Sequence, residues 1–196
     1  MSEDALPLPV PSAELRHRLA TRRSAPAQAL AAPGPSPDQI TDILQISART
    51  PDHGKLFPWR FVVLGPQTRA GIAARLDPLA DHQPDPKKAR AVLAKLANPP
   101  ATILVISAPT PGHKVPVWEQ ELSAGAVCMN LSHAANALGF ATNWITDWYA
   151  YDPDALAMFG VGAGEKIAGF IHIGTAAEPP LERPRPDMAQ KVTTLP

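Results

Sequence analysis

Two short stretches concentrate the side chains best suited to binding. Arg22-Arg23-Ser24 sets two guanidiniums and a hydroxyl in succession, a group able to hold a phosphate through forked, charge-assisted hydrogen bonds. Arginines at the end of a helix could equally complement its dipole. The second stretch, Arg49 to Trp59 (RTPDHGKLFPW), gathers an arginine, a histidine and a lysine in a proline-framed segment. Loops on rigid scaffolds often carry binding groups; the plain alternative is a turn whose Trp59 anchors the core.

Other candidates are weaker. Gly160, Gly162 and Gly164 imitate part of a dinucleotide fingerprint, but that pattern needs a preceding strand and a differently spaced third glycine. A loop of glycines fits them better. Ser132-His133 falls within a long helical pattern, where neighbouring positions diverge, and no glycine-framed nucleophile elbow is present. His113, Glu119 and Glu121 match no common metal spacing, and His17, His82 and His172 stand alone. No metal site is expected; a hydrolase using His53, His113 and nearby carboxylates is the metal-dependent alternative.

The elements that must position these residues follow from periodicity. Ser12 to Arg22 reads as a short helix with Leu15 and Leu19 on one face. Ser36, Pro37 and Gln39 form a capping-box start for a second helix ending near Thr50-Pro51. Trp59 to Leu64 and Ala101 to Ser107 read as strands, with helices at Gln67 to Leu76 and Lys87 to Ala97 between them. A central helix runs from Val117 to Leu138, with Leu122, Val127, Leu131, Ala134 and Leu138 as its apolar line and Ala124-Gly125-Ala126 permitting close packing. Phe140 to Thr146 predicts a third strand, Asp152 to Phe159 a capped short helix, and Lys166 to Ile173 a fourth strand. The result is an α+β domain, a mixed sheet covered by helices.

Composition narrows the class. The chain has 196 residues, with 18 basic and 18 acidic side chains and no net charge, so no global field favours nucleic acid or an anionic membrane. One cysteine, Cys128, allows no intramolecular disulfide and suits a reducing, cytoplasmic setting. No apolar run approaches the roughly 20 residues that span a bilayer, and the acidic, proline-bearing start does not read as a signal peptide. The 24 prolines cluster between elements. A single domain over residues 1–196 is expected, with residues 1–11 and about 176–196 as proline-rich extended termini.

Taken in order, RRS after the first helix, RTPDHGKLFPWRFVV after the second, HKVPVWEQELSAG from His113 to Gly125, and KIAGFIHIGT from Lys166 to Thr175 resemble the FMN-dependent nitroreductase family, in its compact branch. The resemblance covers Arg22 to Thr175. It implies a three-layer fold with a largely antiparallel mixed sheet, an intertwined homodimer, and two FMN sites at the subunit interface. By position, Arg22, Arg23 and Ser24 match the segment holding the FMN phosphate and ribityl chain. Arg49 and His53 match loop positions reaching the partner's flavin. Trp144, Ile145 and Thr146 match the strand beside the isoalloxazine ring. Ala134, Ala135, Asn136, Ala137, Leu138 and Gly139 match a region assigned to the nicotinamide nucleotide.

The chain also departs from the family. Pro26 stands where larger members place a basic residue, which makes Arg49 the candidate for charge near flavin N1 and O2. Trp144-Ile145-Thr146 replaces the Trp-Arg-Ser of the compact relatives. Larger members use basic residues near the C-terminus for the phosphate, a role open to Arg183 or Arg185. The implied activity is transfer of reducing equivalents from NAD(P)H through flavin to a small planar acceptor, a nitroaromatic or quinone, with no catalytic side chain required. Reductive dehalogenation on the same scaffold, or an FMN-binding module without turnover, are the alternatives.

Overall fold

The computed structural model describes residues 6–195 and divides into two units, one of residues 6–23 with 180–195, the other Ser24–Pro179. The larger unit is built on one sheet. Its strands are β1 (Leu30–Ala31), β2 (Trp59–Leu64), β3 (Ala101–Ser107), β4 (Ala141–Ile145) and β5 (Lys166–Ala176). β5 pairs with β3 along one edge and with β4 and β1 along the other, while β3 also pairs with β2; all these pairings are antiparallel. The alternation of side chains on a strand then sorts β5 between two cores. Phe170 joins Leu104, Ile106, Tyr149 and Phe159 on one face; Ile171 and Ile173 join Ile103, Val105, Val127 and Leu131 on the other. All seven residues of β3 are buried, as a strand covered on both faces requires.

Helices supply the outer layers. α2 (Pro37–Ser47) and α6 (Val117–Ala137) cover one face; α3 (Pro66–Leu76), α4 (Pro86–Ala91), α5 (Leu93–Ala97) and α7 (Pro153–Met158) lie toward the other. The capping box of α2 is complete: Gln39 N–H donates to Ser36 Oγ at 3.2 Å, and Ser36 N–H donates to Gln39 Oε1 at 2.9 Å. The helix expected over Lys87 to Ala97 is two, because Val92 flattens to ψ −16° at the joint. β5 outruns its expected end at Ile173, because Thr175 and Ala176 pair with β1, a two-residue strand that carries no periodicity to read.

The buried line of α6 differs from the expected one. Leu122 is 52% exposed, while Gln120, Ala124, Val127, Cys128, Leu131, Ala134 and Ala135 are buried. Five residues separate Leu122 from Val127, a rotation of about 140° around a helix, so the two cannot share a face. Gly125 is not demanded by packing within this chain, since a Cβ there would meet nothing within 4 Å. Cys128 is wholly buried, which pushes its thiol pKa up to about 12 and leaves it unreactive.

The glycine-bearing segment after α7 is a loop, with Gly160 at φ +69° and Gly164 at φ +79°. It is fastened by Arg60, which donates to both Glu165 carboxylate oxygens at 2.8 and 2.6 Å and to the Gly160 carbonyl at 2.6 Å. Arg69 is buried and donates to the carbonyls of Leu64, Pro99 and Pro100, closing the turn into β3.

The smaller unit contains α1 (Ala13–Thr21), capped by Ser12 and carrying an exposed Glu14–Arg18 pair, together with the C-terminal segment and its short turn at Met188–Gln190. α1 buries none of its residues, and Leu15 and Leu19 remain 57% and 53% exposed. Residues 1–5 and 196 of the expected extended termini lie outside the described residues. No helix among the described residues is long and apolar enough to cross a membrane.

Candidate functional site

Arg22 and Arg23 leave α1 in the smaller unit, where the chain turns extended at Arg22 (φ −56°, ψ 133°). Arg23 Nε donates to the Leu181 carbonyl at 2.9 Å and lies 3.7 Å from a Glu182 oxygen. Glu182 in turn accepts from Arg185 Nη2 at 2.8 Å. Arg22 is half-buried, and its side chain has no hydrogen-bond or ion-pair partner among the described residues. Burial, and then the charges of Arg185 and Arg23, pull its pKa below the ordinary guanidinium value. Arg23 and Arg185 thus share one carboxylate while Arg22 feels both of their charges, an excess of positive charge that suits a multiply charged anion. Of the two C-terminal candidates, Arg185 is the one whose charge Arg22 feels.

In the larger unit, Ser24 runs alongside β4. Ala25 N–H donates to the Thr142 carbonyl at 3.0 Å, and Asn143 Nδ2 donates to the Ala25 carbonyl at 2.5 Å. Asn143 Oδ1 is buried without a partner among the described residues, an unmet acceptor that sequence reasoning missed. Trp144 is 39% exposed, and its indole N–H donates to the Ala168 carbonyl at 3.1 Å. It lies over Gly169, where any Cβ would fall inside the indole. A bulge makes this possible: Val105 pairs with Gly169 and Ile106 with Ile167, leaving Ala168 out of register. Ile145 is half-buried, and Thr146 Oγ1 accepts from Tyr151 Oη at 3.0 Å.

The loop carrying Arg49 and His53 is held to one face of α6. Glu119, Ser123 and Asn130 bond successively to His53, to the Pro51 carbonyl and to Thr50 Oγ1, at 2.8, 2.9 and 2.7 Å. Trp59 Nε1 donates to the same Ser123 Oγ at 3.2 Å. The loop itself is wound tightly: Gly54, Lys55 and Phe57 all have positive φ, of 87°, 56° and 47°. Asp52 supports that conformation by accepting from the N–H groups of Leu56 and Phe57 at 3.2 and 2.6 Å. Arg49 is exposed and has no side-chain partner among the described residues. A cavity of about 310 Å³ opens between Pro51 and His53 on the loop and Glu119, Leu122, Ser123 and Ala126 on the helix.

The structure therefore brings Arg49 and His53 together on one loop, and Ser24 beside β4. None of Ser24, Trp144, Ile145 or Thr146 lines the cavity at His53. The segment from Ala134 to Gly139 closes α6. Ala134 and Ala135 are buried in the core, Asn136 Nδ2 donates to the Phe140 carbonyl at 2.7 Å, and Gly139 turns the chain at φ +88°. Only Ala137 and Gly139 of these six are exposed. Among the described residues no three His, Cys, Asp or Glu side chains are grouped to hold a metal ion.

In the smaller unit the unpartnered Arg22, with Arg23 and Arg185 near it, suits a phosphate; in the larger unit Arg49 has no side-chain partner among the described residues and Asn143 Oδ1 is a buried acceptor without one, groups that suit a polar ring. Comparison with known proteins agrees with this fold. The model of the nitroreductase family matches residues 19–175. The protein named "Putative NAD(P)H nitroreductase YdjA" of Escherichia coli (strain K12) is 36% identical over 161 residues, 80% of this chain and 85% of its own. A Haemophilus influenzae protein named "Putative NAD(P)H nitroreductase" is 31% identical over 162 residues, 82% of this chain and 87% of its own. Among solved structures, a nitroreductase-like family protein from Bacillus cereus superposes with TM-score 0.80 at 19% identity, covering 96% of this chain and 99% of that one. A nitroreductase with bound FMN from Bacteroides fragilis superposes with TM-score 0.71 at 21% identity, covering 94% and 100%. With a family model spanning most of its length and curated relatives above 30% identity, the chain belongs to the nitroreductase family.

Proposed function

We propose that the protein is a homodimeric FMN-dependent oxidoreductase that passes reducing equivalents from NAD(P)H to a small planar acceptor such as a nitroaromatic or a quinone. The observation that carries this reading is Arg22, a half-buried guanidinium without a carboxylate partner, crowded by two further arginines. Such a charge is costly unless an anion completes it. In this reading Arg22 and Arg23 bind the FMN phosphate and Ser24 the neighbouring ribityl oxygens. Trp144, Ile145 and Thr146 lie along the ring, and Arg49 supplies positive charge toward N1 and O2. When bound, FMN supplies the hydride chemistry at its N5.

The dimer is supported by what one chain leaves open. No residue of the Trp144 strand lines the cavity at His53, and Trp118 and Leu122 on α6 are 67% and 52% exposed. Arg49 and His53 then serve the flavin of a second copy. Approach of the nicotinamide nucleotide to the Ala134–Gly139 segment is confined to its exposed Ala137 and Gly139.

The test is direct. The purified protein is expected to show a flavin absorption spectrum that NADH or NADPH bleaches without oxygen, and to release FMN by mass. Reoxidation by a quinone or nitroaromatic separates an enzyme from a binding module. A colourless protein that takes up no added FMN would refute the reading.

A further inference from the structure

We propose that Glu119 is a positioning residue that fixes the tautomer of His53, so that His53 presents Nε2 to the bound ligand as a hydrogen-bond acceptor. The inference rests on the reading above for the identity of that ligand. Glu119 Oε2 lies 2.8 Å from His53 Nδ1, across 66 residues of sequence. A carboxylate can only accept, so in the neutral ring the proton sits on Nδ1 and the lone pair is left on Nε2. No partner for Nε2 is recorded among the described residues.

The surroundings leave Glu119 alone in this task. Asp52, next in sequence to His53, has both carboxylate oxygens engaged by Leu56 and Phe57 N–H groups. Both members of the pair line the cavity between the loop and α6, so the free nitrogen belongs to a ring that borders space large enough for a ligand group. Their side chains are 64% and 44% exposed, and a contact so exposed adds little to folding stability. What the contact settles is which nitrogen carries the proton. Loss of the carboxylate frees the ring to place its proton on Nε2, turning an acceptor into a donor that meets an N–H or O–H of the ligand head-on.

The experiment uses the full-length protein loaded with FMN and labelled with nitrogen-15. Long-range proton–nitrogen spectra, recorded above the ordinary histidine titration range, are expected to show His53 protonated on Nδ1, its signals identified by their loss in His53→Gln. In Glu119→Gln the proton should move toward Nε2. FMN should bind roughly 3- to 10-fold more weakly, the range of one neutral hydrogen bond. The melting temperature of the unloaded protein should not change, which a purely structural contact would alter. Glu119→Asp is expected to recover part of the tautomer and of the affinity. A wild-type His53 carrying its proton on Nε2, or a Glu119→Gln protein with tautomer and affinity unaltered, would overturn the proposal. If the tautomer behaves as expected but His53→Gln binds FMN normally, the placement of His53 against flavin fails, and the ligand half of the proposal with it.

Discussion

Replacing Arg22 by alanine probes the clamp at its most sensitive point. Arg23 already spends its Nε on the Leu181 carbonyl at 2.9 Å, and Arg185 gives one nitrogen to Glu182 at 2.8 Å. Arg22 has all its donors free among the described residues, so its removal should cost at least one full charge-assisted bond, about 1.5–3 kcal/mol. That is roughly a 10- to 150-fold rise in Kd for FMN. Arg23→Ala should cost less. The unloaded Arg22→Ala protein should melt no earlier than wild type, because the lost side chain was repelled by Arg185 and Arg23. Quenching of flavin fluorescence gives the affinity, and riboflavin, which lacks the phosphate, is the control. An equal loss for FMN and riboflavin would refute the phosphate assignment, as would unchanged FMN binding. The same titration at rising salt should show a shallower dependence in the variant.

Further outcomes can be checked separately. Burial, reinforced by the charges of Arg69 and Lys95, lowers the His172 pKa to about 3. The unfolded chain therefore takes up a proton that the folded chain refuses, and stability should fall by about 2 kcal/mol from pH 8 to pH 5. His172→Asn should flatten that slope in urea titrations. A slope carried instead by Glu165, whose pKa Arg60 holds near about 2, would appear only as the pH falls below its ordinary 4.5. Gly169→Ala should cost about 1–3 kcal/mol by displacing the Trp144 indole, and much less in a Trp144→Ala background; additivity in that thermal-denaturation cycle would contradict the contact. Asp52→Ala should release the strained loop and weaken FMN binding while costing only about 1 kcal/mol in global stability, and hydrogen exchange at Leu56 and Phe57 should report the loosening.

What the sequence disclosed and what it concealed divide along physical lines. Local rules located α2, because Ser36, Pro37 and Gln39 are a self-contained capping signal. They located β3 as well, because seven buried residues leave an unbroken apolar run. Of the candidate site, Arg22, Arg23 and Arg49 were legible as charges in unusual places. The contacts made across long stretches of sequence were not. Glu119 meets His53 from 66 residues away, and Asn143 and Glu182 gain meaning only from groups the fold brings to them. The exposure of Leu122 was missed for a different reason: its apolar type grouped it with Val127, although five residues of helix set the two about 140° apart.

The central place of β5 also bears on how the chain is made. This strand, Lys166–Ala176, is the pairing partner of β1, β3 and β4, yet it is the last strand to be synthesised. Until it leaves the ribosome, β3 can pair only with β2, and β1 and β4 have no pairing partner at all. A nascent chain stalled before Lys166 thus displays an apolar β3 edge to any neighbouring chain. Completion of the sheet waits until β5 has been made, and truncations upstream of β5 should yield aggregates instead of smaller stable domains.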